Sequence, residues 1–189
     1  MLLQVNNKLK QLHFTSNQQD HLVALLAALA ITIHIFESAF PSPLPGIKPG
    51  LANVITLLTF MIYGWKTALQ VSLLRVVIGS LLLGTFLSPT FLLSLSGAVF
   101  SLLSLILIQW PFQLHFLHDY KPGAIGYAVI ASISHMSGQF LVAWYFFIPH
   151  PGIFKLLPLF MTFAVLLGIV SGIITHILHT KFLRRFHNK

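Results

Sequence analysis

The chain has 189 residues, 56% of them hydrophobic and only 7% charged, with a mean hydropathy of +0.86. A soluble domain keeps its surface wet with roughly 25% charged residues, so a water-facing globular fold is excluded and the bilayer is the expected solvent. The net charge of +8 is scattered between apolar runs rather than gathered into a patch, which argues against nucleic-acid binding, and the lack of cysteine excludes disulfides and thiol chemistry.

Residues 1–21, "MLLQVNNKLKQLHFTSNQQDH", are polar and lack an apolar stretch followed by a small-residue cleavage site. They are expected to form a cytoplasmic segment, with the first apolar run kept as a membrane span. Six runs approach the ~20 apolar residues needed to cross a bilayer: 22–40, 51–64, 67–84, 90–109, 123–147 and 153–179. Between them stand the Pro-rich 41–49, Gly64, Ser88-Pro89, "QLHFLHDYKPG" and "PHPG" at 149–152, all of them breakers or turn formers. The expected fold is an all-α integral membrane protein, a six-transmembrane-helix bundle over 22–180 with a basic tail at 181–189.

Six spans put both termini on one side. With the termini in the cytoplasm, Lys8, Lys10, Lys66, Lys121, Lys181, Arg184, Arg185 and Lys189 lie inside, and only Lys48 and Lys155 lie outside. That is the bias expected of a multi-pass protein. It makes "FPSPLPGIKPGLAN", residues 40–53, an external loop. Its prolines restrict the backbone and its glycines permit tight turns, so it reads as a shaped lid.

Polar residues inside the spans are the candidate functional groups. Arg75 lies in "LQVSLLRVVIGSLLLG", near the membrane midplane, where a charge costs at least ~2.5–3.5 kcal/mol and faces the bundle interior or a hydrated cavity. Its guanidinium fork suits an anionic ligand group; an ion pair with Glu37, near the outer end of the first span, is the structural alternative. Glu37 either contacts a cation or ligand amine, or neutralises Arg75 or Lys48. Lys48 touches either a ligand or lipid headgroups. Asn53 either caps the second helix or bonds a ligand. His135 and Gln139 are four residues apart on one helical face, placed for an interhelical hydrogen bond or a ligand. With so few carboxylates and histidines able to converge, no metal site and no cofactor are expected. Small residues at Ala24 and Ala28, at Ser94, Gly97 and Ser101, and at Gly168 and Gly172 have spacings that bring helices close. They serve packing within the bundle or, best at the first span, docking of another membrane subunit.

The ordered blocks "PGIKPGLANVITLL", "RVVIGSLLLGTFLSPTFLLSLSGAVFSLL" and "SHMSGQFLVAW" resemble the bacterial membrane family of heptaprenyl diphosphate synthase component I, also called the Gx transporter family. That family is grouped with the substrate-binding S components of energy-coupling factor (ECF) transporters. The resemblance spans roughly residues 22–178, with departures at Pro49, where an aliphatic residue is expected, and at Met136, where asparagine usually follows the histidine. It implies two functions. As an S component, the chain is a six-helix subunit of the bacterial inner membrane that takes up a small molecule from outside. Its first helix, where Ala24 and Ala28 match in kind, would dock on an ECF coupling protein with two ATPases. The chain has no phosphate-binding loop, so ATP hydrolysis falls to those partners. As component I, it is a membrane accessory of a soluble prenyl synthase subunit. Prenyl synthases hold Mg²⁺ with paired Asp-rich motifs, whereas Asp20 and Asp119 are isolated here, so the chain by itself is no prenyl synthase of the usual kind. The excess of Lys48 and Arg75 over Glu37 favours a ligand with an anionic group.

Overall fold

A computed structural model of the chain describes residues 16–39, 51–111 and 122–187. All regular structure among them is helical. Helix α1 spans Ser16–Ala39, α2 Leu51–Tyr63, α3 Trp65–Leu82, α4 Pro89–Gln109 and α5 Ala124–Val142, the last continued by a π-helical turn, Ala143–Phe147. A 3-10 turn, Pro151–Leu156, leads into α6, Leu157–His187. Helix α1 begins before residue 22, within the segment expected to be polar and extramembranous, and α6 takes in most of the expected tail.

Five helices among the described residues are long and apolar enough to cross a membrane: Gln18–Ser38, Trp65–Leu82, Pro89–Gln109, Ala124–Phe147 and Pro151–Arg184. The second expected span, the shortest of the six runs, is not among these five. Helix α2 has 13 residues, a length of about 20 Å at 1.5 Å per residue, against a hydrocarbon core of ~30 Å. The loop expected at 41–50, and Lys48 with it, lies outside the described residues.

Gly64 explains how α2 is placed. Its φ of 85° and ψ of −179° fall in a region open essentially to glycine alone, and this one residue folds α3 back along α2. Residues equidistant from Gly64 therefore meet. Phe60 and Ala68 share the largest buried apolar cluster with Leu57, Leu102, Leu105 and Tyr127, and the Phe60 and Tyr127 rings meet edge-on at 6.0 Å. After α3, Ser88 opens α4: its Oγ accepts from the Phe91 N–H at 3.4 Å and Pro89 occupies the first helical turn, a favoured start signal.

Helix α2 packs against α1, α3 and α6, while α3 also packs on α1 and α4, α4 on α5, and α5 on α6. The α5–α6 contact is close because α6 presents Gly172 and Gly168 to it. A Cβ on Gly172 would stand 2.6 Å from Ile125 Cα, and one on Gly168 3.0 Å from Val129 Cα. That pair of small residues is thus used for packing within the bundle. Large apolar side chains such as Leu25, Leu103, Leu107, Leu166 and Val170 remain exposed, as expected where the surrounding solvent is hydrocarbon rather than water.

Candidate functional site: a buried cationic hollow

Arg75 stands near the middle of α3 and is only 5% exposed. Its Nη1 donates to Asn53 Oδ1 at 2.7 Å, a charge-assisted bond of the stronger kind. The α2–α3 hairpin makes this contact, since Asn53 and Arg75 are equidistant from Gly64. Helix α2 begins at Leu51, so Asn53 lies inside its first turn, and its amide oxygen serves Arg75 rather than the helix end.

Around Arg75 is a hollow of ≈ 20 Å³, room for roughly one water. Asn53 and Thr56 of α2, Ser72 and Arg75 of α3, Ser101 of α4, Ser132 of α5 and Ser171 of α6 supply its polar wall. Arg75 Nε, Thr56 Oγ1 and Ser72 Oγ are buried there without hydrogen-bond partners. Each such orphan costs about 1–3 kcal/mol, so three around one hollow favour a polar occupant. The wall offers hydroxyls and a guanidinium, with no carboxylate or imidazole among the described residues that line it. That donor set suits an anion and not a metal cation.

The hollow also fixes the depth of α2. Helices α3 to α6 contribute residues from their middles, whereas α2 contributes from its first two turns. The N-terminal end of α2 therefore sits at mid-depth in the bundle. A helix start carries a partial positive charge, which adds to the field of Arg75.

Glu37, near the end of α1, is 5% exposed and lies within electrostatic reach of Arg75. Arg75 thus has a carboxylate in range, an amide in contact and an Nε to spare. His135 and Gln139 form a pair of their own, with nitrogens 3.1 Å apart. The His135 ring rests on Gly97, where a Cβ would come within 2.6 Å of its Cε1 and Nε2. The charge of Arg75 reaches His135, and the Gly97 backbone approaches the ring, yet Nδ1 finds no partner of hydrogen-bonding geometry. The pair stands beside the hollow and does not line it. Gly97 is therefore a seat for His135.

Of the expected ligand contacts, then, Asn53 and Arg75 meet, Glu37 lies within electrostatic reach of Arg75, and His135 with Gln139 forms an adjoining pair. Lys48 is outside the described residues. Ala24 and Ala28 lie on the exposed face of α1 beside Leu25 and Leu29, apart from the hollow. The hydroxyls of Thr56, Ser72, Ser132 and Ser171 are not among the expected contacts, and Ser101 is expected as a small residue for helix packing or subunit docking rather than as a ligand contact. One signal pointed to two of them: Thr56 follows Asn53, and Ser72 precedes Arg75, at the three-residue spacing that shares a helix face.

No curated protein matches this chain, and no solved structure does. Comparison with known protein families matches residues 26–178 to heptaprenyl diphosphate synthase component I. Because that match takes in most of the chain and every residue on the wall of the hollow, the chain belongs to the heptaprenyl diphosphate synthase component I family.

Proposed function

We propose that this protein is a membrane-embedded subunit that binds a small molecule through an anionic group and takes it up from the outer side. The single observation that carries this reading is Arg75, buried among hydroxyls with its Nε unpartnered. An anionic oxygen placed there would satisfy Nε together with the Thr56 and Ser72 hydroxyls, in surroundings where weak screening strengthens the attraction. In this reading the chain crosses the bacterial inner membrane six times, with α2 in the second crossing and both termini in the cytoplasm. The loop at 41–50 closes over the ligand, with Lys48, Glu37, His135 and Gln139 near it. Ala24 and Ala28 face outward on α1, and there an ECF coupling protein with two ATPases would dock.

The test is mass spectrometry of small molecules retained by the gently purified protein. An anionic compound should stay with the wild type and bind Arg75→Ala more than about tenfold weaker. A folded Arg75→Ala protein of full affinity would remove the anchor role. A variant that fails to fold would make the pairing with Glu37 and Asn53 the better account.

A second reading has its own support, the family match itself. As component I, the chain would be a non-catalytic membrane partner of a soluble prenyl synthase subunit, presenting the same anionic group to it. Affinity capture separates the two: a coupling protein and ATPases among the captured partners favour uptake, and a soluble Asp-rich synthase favours the accessory role.

A further inference from the structure

A hydroxyl inside a membrane helix can return its proton to a carbonyl one turn back. Thr59 and Thr175 do so, donating to Ile55 O at 2.7 Å and to Ser171 O at 2.8 Å. Thr56 of α2 and Ser72 of α3 are also buried, yet neither Oγ has a partner. Arg75 Nε, one turn beyond Ser72, is a third buried donor in the same state. All three residues belong to the wall of one hollow of ≈ 20 Å³. Two helices thus bring free donors together around a space that holds about one water.

Two occupants match that volume, a water and a monatomic anion, and the charge of the wall separates them. The guanidinium Nε–H only donates, and no carboxylate stands among the described residues that line the hollow. Glu37 lies within electrostatic reach of Arg75 but is not on that wall, so it tempers the cation without filling the seat. The start of α2 adds partial positive charge. Burying an ion is unfavourable unless it is both paired and hydrogen-bonded, and an anion here has the guanidinium as its counter-charge and three donors around it. A phosphate or carboxylate group, built of several heavy atoms, can place only one oxygen in such a space. Chloride, little larger than a water, enters whole.

We infer that the hollow is a chloride site, the ion accepting from Arg75 Nε, Thr56 Oγ1 and Ser72 Oγ together. Chloride holds the seat in the resting protein, and the anionic oxygen of an incoming ligand displaces it. This deepens the proposed function and rests on it for the exchange alone, since only a ligand that uses the same seat competes with the ion. Ligand affinity therefore falls as chloride rises, which makes the halide a regulator of the site.

The test uses the full chain in phosphatidylcholine nanodiscs at constant ionic strength, with sodium chloride replacing sodium gluconate, whose anion is too large for the hollow. The thermal unfolding midpoint should rise saturably with chloride. Ser72→Ala and Thr56→Val each remove one hydroxyl and keep the cation, and each should weaken chloride about tenfold, as for the loss of one hydrogen bond to an ion. Glu37→Gln removes the tempering charge and should tighten chloride severalfold, a response that a neutral water does not give. The absence of a saturable chloride effect, or an effect of the same size in all three variants as in the wild type, overturns the inference. Methyl phosphate separates that failure from failure of the proposed function. With both correct, its apparent Kd rises with chloride and is lowest in gluconate. If methyl phosphate binds through Arg75 equally well in either salt, the chloride site falls and the proposed function stands. If chloride behaves as described and methyl phosphate does not bind even in gluconate, the proposed function falls and the chloride site stands.

Discussion

The Asn53–Arg75 bond sets the hairpin register and holds the one cation among the described residues that line the hollow, so it is the place to perturb. Asn53→Leu keeps the branched shape of the side chain and removes the acceptor 2.7 Å from Arg75 Nη1. The guanidinium, only 5% exposed and with Nε already orphaned, would then have a second buried donor without a partner. A hydrogen bond to a charged group contributes about 1.5–3 kcal/mol, so Asn53→Leu should destabilise the protein by roughly that amount. Arg75→Met should cost more, about 3–5 kcal/mol, because it strands Asn53 Oδ1 and takes the positive charge away from Glu37. The loss at Glu37 is common to Arg75→Met in both backgrounds and cancels in a double-mutant cycle. The double variant should therefore be less damaged than the sum of the singles by about 1.5–3 kcal/mol. Reversible unfolding in mixed micelles of rising dodecyl sulfate content measures all four proteins. A coupling below about 0.5 kcal/mol, the range of independent sites, would refute the bond and the register that places it.

Two further substitutions test the elements that build the site. Gly64→Ala meets no neighbouring atom, so its cost is backbone strain alone, about 1–3 kcal/mol; if the same unfolding measurement finds it neutral, α2 and α3 are not joined by this turn. Gly97→Ala drives a methyl into the His135 ring and should cost about 1–3 kcal/mol by overpacking, with a shift of the His135 imidazole resonances as the ring leaves Gln139. An unmoved His135 spectrum would contradict the seat described for it.

How much of this was legible in the sequence varies with the kind of interaction. Charge in an apolar run is conspicuous, so Arg75, Glu37 and the His135–Gln139 pair stand out at once. Their register was harder to see. In a membrane chain both lipid-facing and core-facing positions are apolar, and the periodicity that marks a buried face in a soluble helix loses its meaning. Gly64 held the missing information, since a one-residue turn fixes which residues of α2 and α3 meet, but only its backbone conformation reveals that it is such a turn. The run at 51–64 looked like a short span because apolar length alone does not distinguish a full crossing from a helix that starts at mid-depth. The serines stayed hidden for a similar reason. A hydroxyl in a membrane helix often bonds back to its own turn, as Thr59 does to Ile55 O and Thr175 to Ser171 O at 2.7 and 2.8 Å, and composition does not separate those from Ser72 and Thr56, which do not.

The central claim is that the spare Nε of Arg75 receives an anion. The chain has three arginines, Arg75, Arg184 and Arg185, so protein labelled with ¹⁵N-arginine gives few Nε–H resonances, and Arg75→Lys assigns the buried one by its loss. Titration with methyl phosphate, or with the anionic compound retained on purification, should shift the Arg75 Nε–H signal saturably and leave those of Arg184 and Arg185 unmoved. Saturating binding with an unchanged Arg75 Nε–H signal would contradict the account.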